Sequence, residues 1–270
     1  MNEPVIEIKN LCCKAGNKYL LRDINWQVNK GEHWVVFGMN GSGKTTLLSI
    51  IAGFKHYTAG EVKVFGESFT NENMLEHRKR IGLVSGSFFD KQYSKESILD
   101  VVLSGKTGSL GLDYSITLED VRLAKSLLTE LGLEDKFYHG FDMLSKGQRQ
   151  NVMIARALMT NPDILILDEP CSGLDIYNRS YLFSTINELS KRKDLTIIYV
   201  THYVEEIIPL FDKTLFLKYG HIFKTGSTQE MFEKDVLERL LNYPVEIDQD
   251  ADGTYRTTVE TSSKLIDLLE

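Results

Sequence analysis

The chain has 270 residues, 42% of them apolar and 26% charged, with only 5 prolines. Disordered and fibrous classes are excluded, and what remains is one large globular unit or two small ones. A net charge of -7 argues against a protein whose main task is gripping nucleic acid or an anionic lipid surface, so no nucleic-acid partner is expected.

The predicted elements begin with strands that alternate apolar and polar residues. VIEIKN (5–10), INWQV (24–28) and EVKVFG (61–66) read as half-buried antiparallel strands. HWVVF (33–37), ILIL (164–167) and LTIIYV (195–200) are continuous apolar runs, as in strands buried on both faces of a parallel sheet. Between about residues 87 and 160 helical periodicity takes over, which predicts a helical subdomain inserted into an α/β core. There Thr117 caps a helix with Asp120 three residues on, Val121, Ala124, Leu128 and Leu131 share one face, and Gly132 stops it. Towards the end, Asp252-Gly253 between β-prone runs predicts a hairpin. The three cysteines, Cys12, Cys13 and Cys171, lack zinc-site spacing and cannot all pair, which suggests a reducing compartment. The N-terminus has no basic stretch followed by an apolar one, and no apolar run approaches the ~18 residues of a membrane span, so a cytoplasmic protein is expected.

LILDEPCSGLD (165–175) poses a charge problem, because four apolar residues lead straight into Asp168 and Glu169. A buried carboxylate needs a positive partner. GMNGSGKTT (38–46) supplies one, being a GxxxxGK[ST] phosphate loop between a strand and a helix. Gly38, Gly41 and Gly43 let the backbone curl so that N–H groups converge on phosphate oxygens, with Asn40, Ser42 and Thr46 completing the loop. Lys44 brings a full charge to the β and γ phosphates, and Thr45 with Asp168 is suited to Mg²⁺. Glu169, one residue beyond, can polarise a water in line with the γ-phosphate. LSKGQRQ (144–150) opens a helix with Ser145 as N-cap and Gly147 permitting close approach, and His202 falls just beyond the strand LTIIYV.

In their order, the phosphate loop, LSKGQ, ILILDEP, SGLD and THY resemble the ATP-binding cassette (ABC) family over roughly residues 4–240. Within it, INWQVNKGEHWVVFGMNGSGKTTLL and IGLVSGSFF are similar to bacterial stand-alone ATPases related to molybdate-transport and photorepair proteins, and SILDVVLSG is similar to ATPases of metal-chelate importers. The resemblance implies an α/β P-loop NTPase fold, with a RecA-like core, an antiparallel β subdomain and an inserted helical subdomain. Residues 1–240 would form the ABC domain and 241–270 a C-terminal hairpin extension. It implies ATP and Mg²⁺ as ligands, with Glu169, His202 and Lys44 catalytic. It also implies a head-to-tail pair of chains, in which Ser145, Gly147 and Gln148 of one copy face the nucleotide held by the other and Asp175 communicates across the interface. The family's commonest role is to power a separate transmembrane subunit from the inner face of the cell membrane; the alternative is an ATP-driven switch acting on a cytosolic partner. Two departures stand out. The family's adenine-stacking aromatic is replaced by Ala15, leaving Tyr19 as a substitute or a plain strand residue, and the Pro-Gln that follows IGLV in the family is Ser85-Gly86. Gln92 is the nearest glutamine downstream, and it is expected to be a poor replacement.

Overall fold

A computed structural model describes residues 4–85, 93, 95–108 and 116–259. Strand β1 (Pro4–Ala15) pairs antiparallel with β2 (Lys18–Asn29) and with β4 (Ala59–Val64), whose outer edge carries the short β5 (Glu67–Ser68). The alternation is literal in β2, where Ile24, Trp26 and Val28 are buried while Asn25 and Gln27 face outward. A larger sheet packs beside it, and the edge-to-face contact of Trp26 with Trp34, 5.4 Å between ring centres, belongs to the core they share.

In that larger sheet β3 (His33–Phe37), β6 (Ile81–Ser85), β7 (Ile164–Asp168), β8 (Thr196–Thr201) and β9 (Lys213–Lys218) are parallel, and β10 (His221–Ser227) returns antiparallel at one edge. The spatial order is β10-β9-β3-β8-β7-β6. Every residue of β6, β7 and β8 is buried, as continuous apolar runs require. Register then decides what meets. Phe37 lies opposite Thr201, Asp168 opposite Val200 and Ser85 opposite Asp168, so four parallel strands end in one line. The residues that follow them converge on the carboxyl edge, where open α/β sheets bind ligands.

Helix α1 (Lys44–Ile51) follows β3, and α2 (Met74–Lys79) precedes β6. Between β6 and β7 come α3 (Ile98–Leu103), α4 (Leu118–Glu130) and α5 (Lys146–Leu158), and among the described residues this insertion contains no strand. The Thr117–Asp120 capping box is present, and the Lys106 ammonium 2.9 Å from Asp120, with the Thr117 amide and hydroxyl, holds that carboxyl at about 2. Ala124, Leu128 and Leu131 are buried on the expected face. Gly132, at φ 73, ends the helix. Helix α6 (Ile176–Ser190) joins β7 to β8, and α7 (Thr228–Met231) and α8 (Lys234–Leu241) follow β10.

The C-terminal hairpin forms from β11 (Val245–Gln249) and β12 (Tyr255–Val259). Asp252 and Gly253 lie within a longer loop rather than a two-residue turn, since Gln249 pairs with Tyr255 and the Asp250 amide donates to Thr254 O at 2.9 Å. The hairpin is docked on the larger sheet's side of the molecule: Tyr255 stacks on Phe232 at 5.1 Å, and Thr257 Oγ1 donates to Glu205.

Candidate active site

Residues 38–43 join β3 to α1 and wrap around the Lys44 side chain. Gly43 is the N-cap of α1 at φ 109, and no side chain caps this end. The open amides and the helix dipole make it an anion site. Lys44 is 5% exposed; its ammonium donates to Gly38 O at 2.7 Å and sits 3.4 Å from Glu169 Oε1. Burial pulls its pKa down, and the charges of Glu169 and Asp168 push it back up. Asn40, Gly41, Gly43, Lys44, Thr45 and Thr46 line a cleft of about 710 Å³, a volume suited to a nucleotide-sized ligand. Tyr19 and Leu20 of β2 form one wall, and Lys146, Arg149 and Gln150 of α5 another.

Two expected members of the loop serve it from behind. Gly38 abuts Leu217 O, so its missing Cβ allows β3 and β9 to pack, and its φ is not left-handed. The Ser42 hydroxyl is buried against Gly38 without a hydrogen-bond partner, outside the cleft lining.

Asp168 ends β7 at 7% exposure. Ser85 Oγ donates to its Oδ2 at 3.1 Å, while Oδ1 is buried with no partner. Burial raises this carboxyl above its ordinary range, against the hydroxyls of Ser85 and Thr45 and the Lys44 charge, which lower it. An orphaned carboxylate oxygen beside a threonine hydroxyl at the mouth of a phosphate loop fits a hard oxygen-seeking cation such as Mg²⁺. Glu169 follows at φ 50, a left-handed backbone that costs a non-glycine residue about 1–2 kcal/mol. Its amide donates to Val200 O at 2.9 Å, which pins the turn to the next strand. The carboxylate is thereby held between Lys44 and His202, whose Nδ1 is 3.1 Å away. The Asp168–Glu169 carboxylate pair thus has its positive partner in Lys44.

Ser145, Gly147, Gln148 and Asp175 are absent from this cleft's lining, although Lys146 and Arg149 of the same helix belong to it. Ser145 caps α5 and closes a box with Gln148. Gly147 lies against Asn178, whose carboxamide carbon would be 2.8 Å from an added Cβ. Asp175 caps α6 and grips that same Asn178 through its amide and side chain at 2.8 to 3.0 Å. Gly147 of α5 thus packs against the Asn178 that Asp175 holds on α6.

A family model described as ABC transporter matches residues 21–172. The ABC transporter ATP-binding protein YlmA of Bacillus subtilis strain 168 is 37% identical over 258 residues, 95% of this chain and 98% of YlmA. The chain belongs to the ABC transporter family. The energy-coupling factor transporter ATP-binding protein EcfA1 of Streptococcus sanguinis strain SK36 is 36% identical over 241 residues, 88% of this chain and 84% of EcfA1. The dimeric structure of a bacterial ABC transporter cassette matches with a TM-score of 0.72 at 27% identity, over 82% of this chain and 98% of that one. The protein is accordingly an ATPase, an ATP-binding and ATP-hydrolysing subunit of the ABC transporter kind.

Parts of this ABC site escape sequence reasoning. In the sequence Ser85 is only a departure from the family pattern, yet in the fold it is a hydrogen-bond donor to Asp168. Glu206, 3% exposed, accepts from Thr201 Oγ1 at 2.6 Å and from the Tyr199 hydroxyl at 3.0 Å, and Cys171 Sγ is 3.3 Å from that hydroxyl. This buried network braces the chain on either side of His202; burial raises the Glu206 carboxyl, and the two hydroxyls lower it. Ala15 does not line the cleft, whereas Tyr19 does, with the Lys14 ammonium 4.4 Å and the Arg22 guanidinium 5.3 Å from its ring centre. Gly86 and Gln92, and the expectation attached to them, lie outside the described residues.

Proposed function

We propose that two copies of this chain close head to tail around two molecules of Mg²⁺-ATP, and that hydrolysis there drives a separate transmembrane subunit on whose inner face the chain sits. One observation carries this reading: Lys44, Asp168, Glu169 and His202 converge on one sheet edge, while Ser145, Gly147 and Gln148 stand off their own chain's cleft, where a second copy can use them. No helix among the described residues is long and apolar enough to cross a membrane.

The phosphate chain of ATP lies along the loop amides and the α1 N-terminus. Its negative charge draws the Lys44 ammonium from Gly38 O and Glu169, which frees the Glu169 carboxylate. Glu169 then accepts a proton from the water that attacks the γ-phosphorus, and ADP departs. His202, which does not itself line the cleft, holds the Glu169 carboxylate from 3.1 Å away. Asp168 and Thr45 would hold Mg²⁺, which when bound offsets the charge on the β and γ phosphates.

The test is affinity purification of the tagged chain from detergent-solubilised membranes, combined with an ATPase assay. The expected result is co-purification of an integral membrane protein whose presence alters the turnover rate. A chain recovered alone, with turnover indifferent to membrane fractions, supports the cytosolic switch instead.

A further inference from the structure

The rim of the cleft carries an aromatic residue that sequence order conceals. Tyr219 and Gly220 form the turn between β9 and β10 and line the same cleft as Lys44 and Thr45. Lys218 pairs with His221, so the loop has two residues, and both have positive φ, 51 and 79. Such a turn favours asparagine or aspartate followed by glycine, because a side chain branching into the left-handed region is strained. A tyrosine at its first position is locally unfavourable, and strain of this kind concentrates at functional sites.

The turn is also fixed in place. Gly220 donates its amide to Ser42 O of the phosphate loop at 2.9 Å, and Gly220 O accepts from the Arg22 amide at 2.8 Å. A Cβ on Gly220 would lie 2.7 Å from Leu20 O, so the loop is clasped between β2 and the phosphate loop. The Tyr219 ring therefore stands on a rigid support, yet it is 78% exposed. Its neighbour Lys218 is 5.8 Å from the ring centre and is held elsewhere, by Arg239 O at 2.6 Å and Asn242 Oδ1 at 2.8 Å. Tyr19, which the sequence leaves as either a substitute for the missing aromatic at Ala15 or a plain strand residue, is more crowded, with two cations over its ring.

We infer that Tyr219 is the platform on which the base of the bound nucleotide lies, in place of an aromatic residue at position 15. The inference rests on the reading of the cleft as the ATP site and adds the residue that holds the base. A ring face stacks on any purine, so this contact contributes affinity without choosing between adenine and guanine.

Calorimetric titration of the full chain with ATP and with inorganic tripolyphosphate, which has no base, separates the possibilities. Tyr219→Ala is expected to weaken ATP by about fivefold, as loss of one stacking contact should. Tripolyphosphate should bind as in the parent, and Tyr219→Phe should retain ATP affinity. Equal losses for both probes would overturn the inference, because the tyrosine would then only support the loop. Unchanged ATP affinity in Tyr219→Ala, with a loss in Tyr19→Ala, would overturn it in favour of Tyr19. Failure of the cleft reading shows separately: Lys44→Ala would then bind both probes as the parent does.

Discussion

Ser85 Oγ donates a hydrogen bond to the buried Oδ2 of Asp168 from a neighbouring strand, at 3.1 Å, and Ser85→Ala removes it without touching the phosphate loop. A hydrogen bond to a charged group is worth about 1.5–3 kcal/mol, which corresponds to about one to two pH units at 1.36 kcal/mol per unit. The sign follows from the direction of the existing shift. Burial already places the Asp168 carboxyl above its ordinary range, so in the nucleotide-free protein it takes up a proton as pH falls through that raised value. Losing a donor to the carboxylate raises the value again, and the metal-binding form is lost sooner on acidification. The effect on stability has the opposite sense: a raised carboxyl favours the fold below its folded pKa, and that contribution disappears as pH rises through it. The assay is kcat/KM for ATP against pH at saturating Mg²⁺, which reports ionisations of the free enzyme. Ser85→Ala should move the acid limb upward by about one pH unit and leave the rate above it within a few fold, while Ser85→Thr should restore the parent limb. An acid limb that does not move refutes the argument.

Lys44→Ala should abolish detectable ATP binding in equilibrium dialysis, because the variant loses the ammonium that reaches Gly38 O and Glu169 together. Glu169→Gln should bind ATP and remain paired, since the phosphate contacts survive without the base; size-exclusion chromatography in saturating ATP would show a dimer, and a persistent monomer counts against the two-site sandwich. Gly147→Ala would place a Cβ 2.8 Å from an Asn178 carboxamide whose Nδ2 donates to both carboxylate oxygens of Asp175. Helix propensity alone favours this change by about 1 kcal/mol, so a tenfold or greater loss of steady-state turnover, with ATP affinity of the single chain intact, would locate the damage at the α5–α6 face.

Chemistry carried by consecutive residues was determined by the sequence itself. The phosphate loop, the capping box at Thr117, the N-cap at Ser145 and the three apolar strands depend on spacing within a few residues, where backbone geometry leaves little freedom. The fold class followed from the change of period between half-buried and fully buried strands. The meeting of Ser85 with Asp168, 83 residues apart, and of His202 with Glu169, 33 apart, was decided by the tertiary structure. Those contacts depend on the lateral order and register of parallel strands, which no local periodicity encodes, since each strand reads the same whichever neighbour it pairs with. Tyr219 shows the same limit from the other side. As a letter it is an exposed aromatic in a turn, and only the clasp of Gly220 between β2 and the phosphate loop puts it at the rim of the nucleotide cleft.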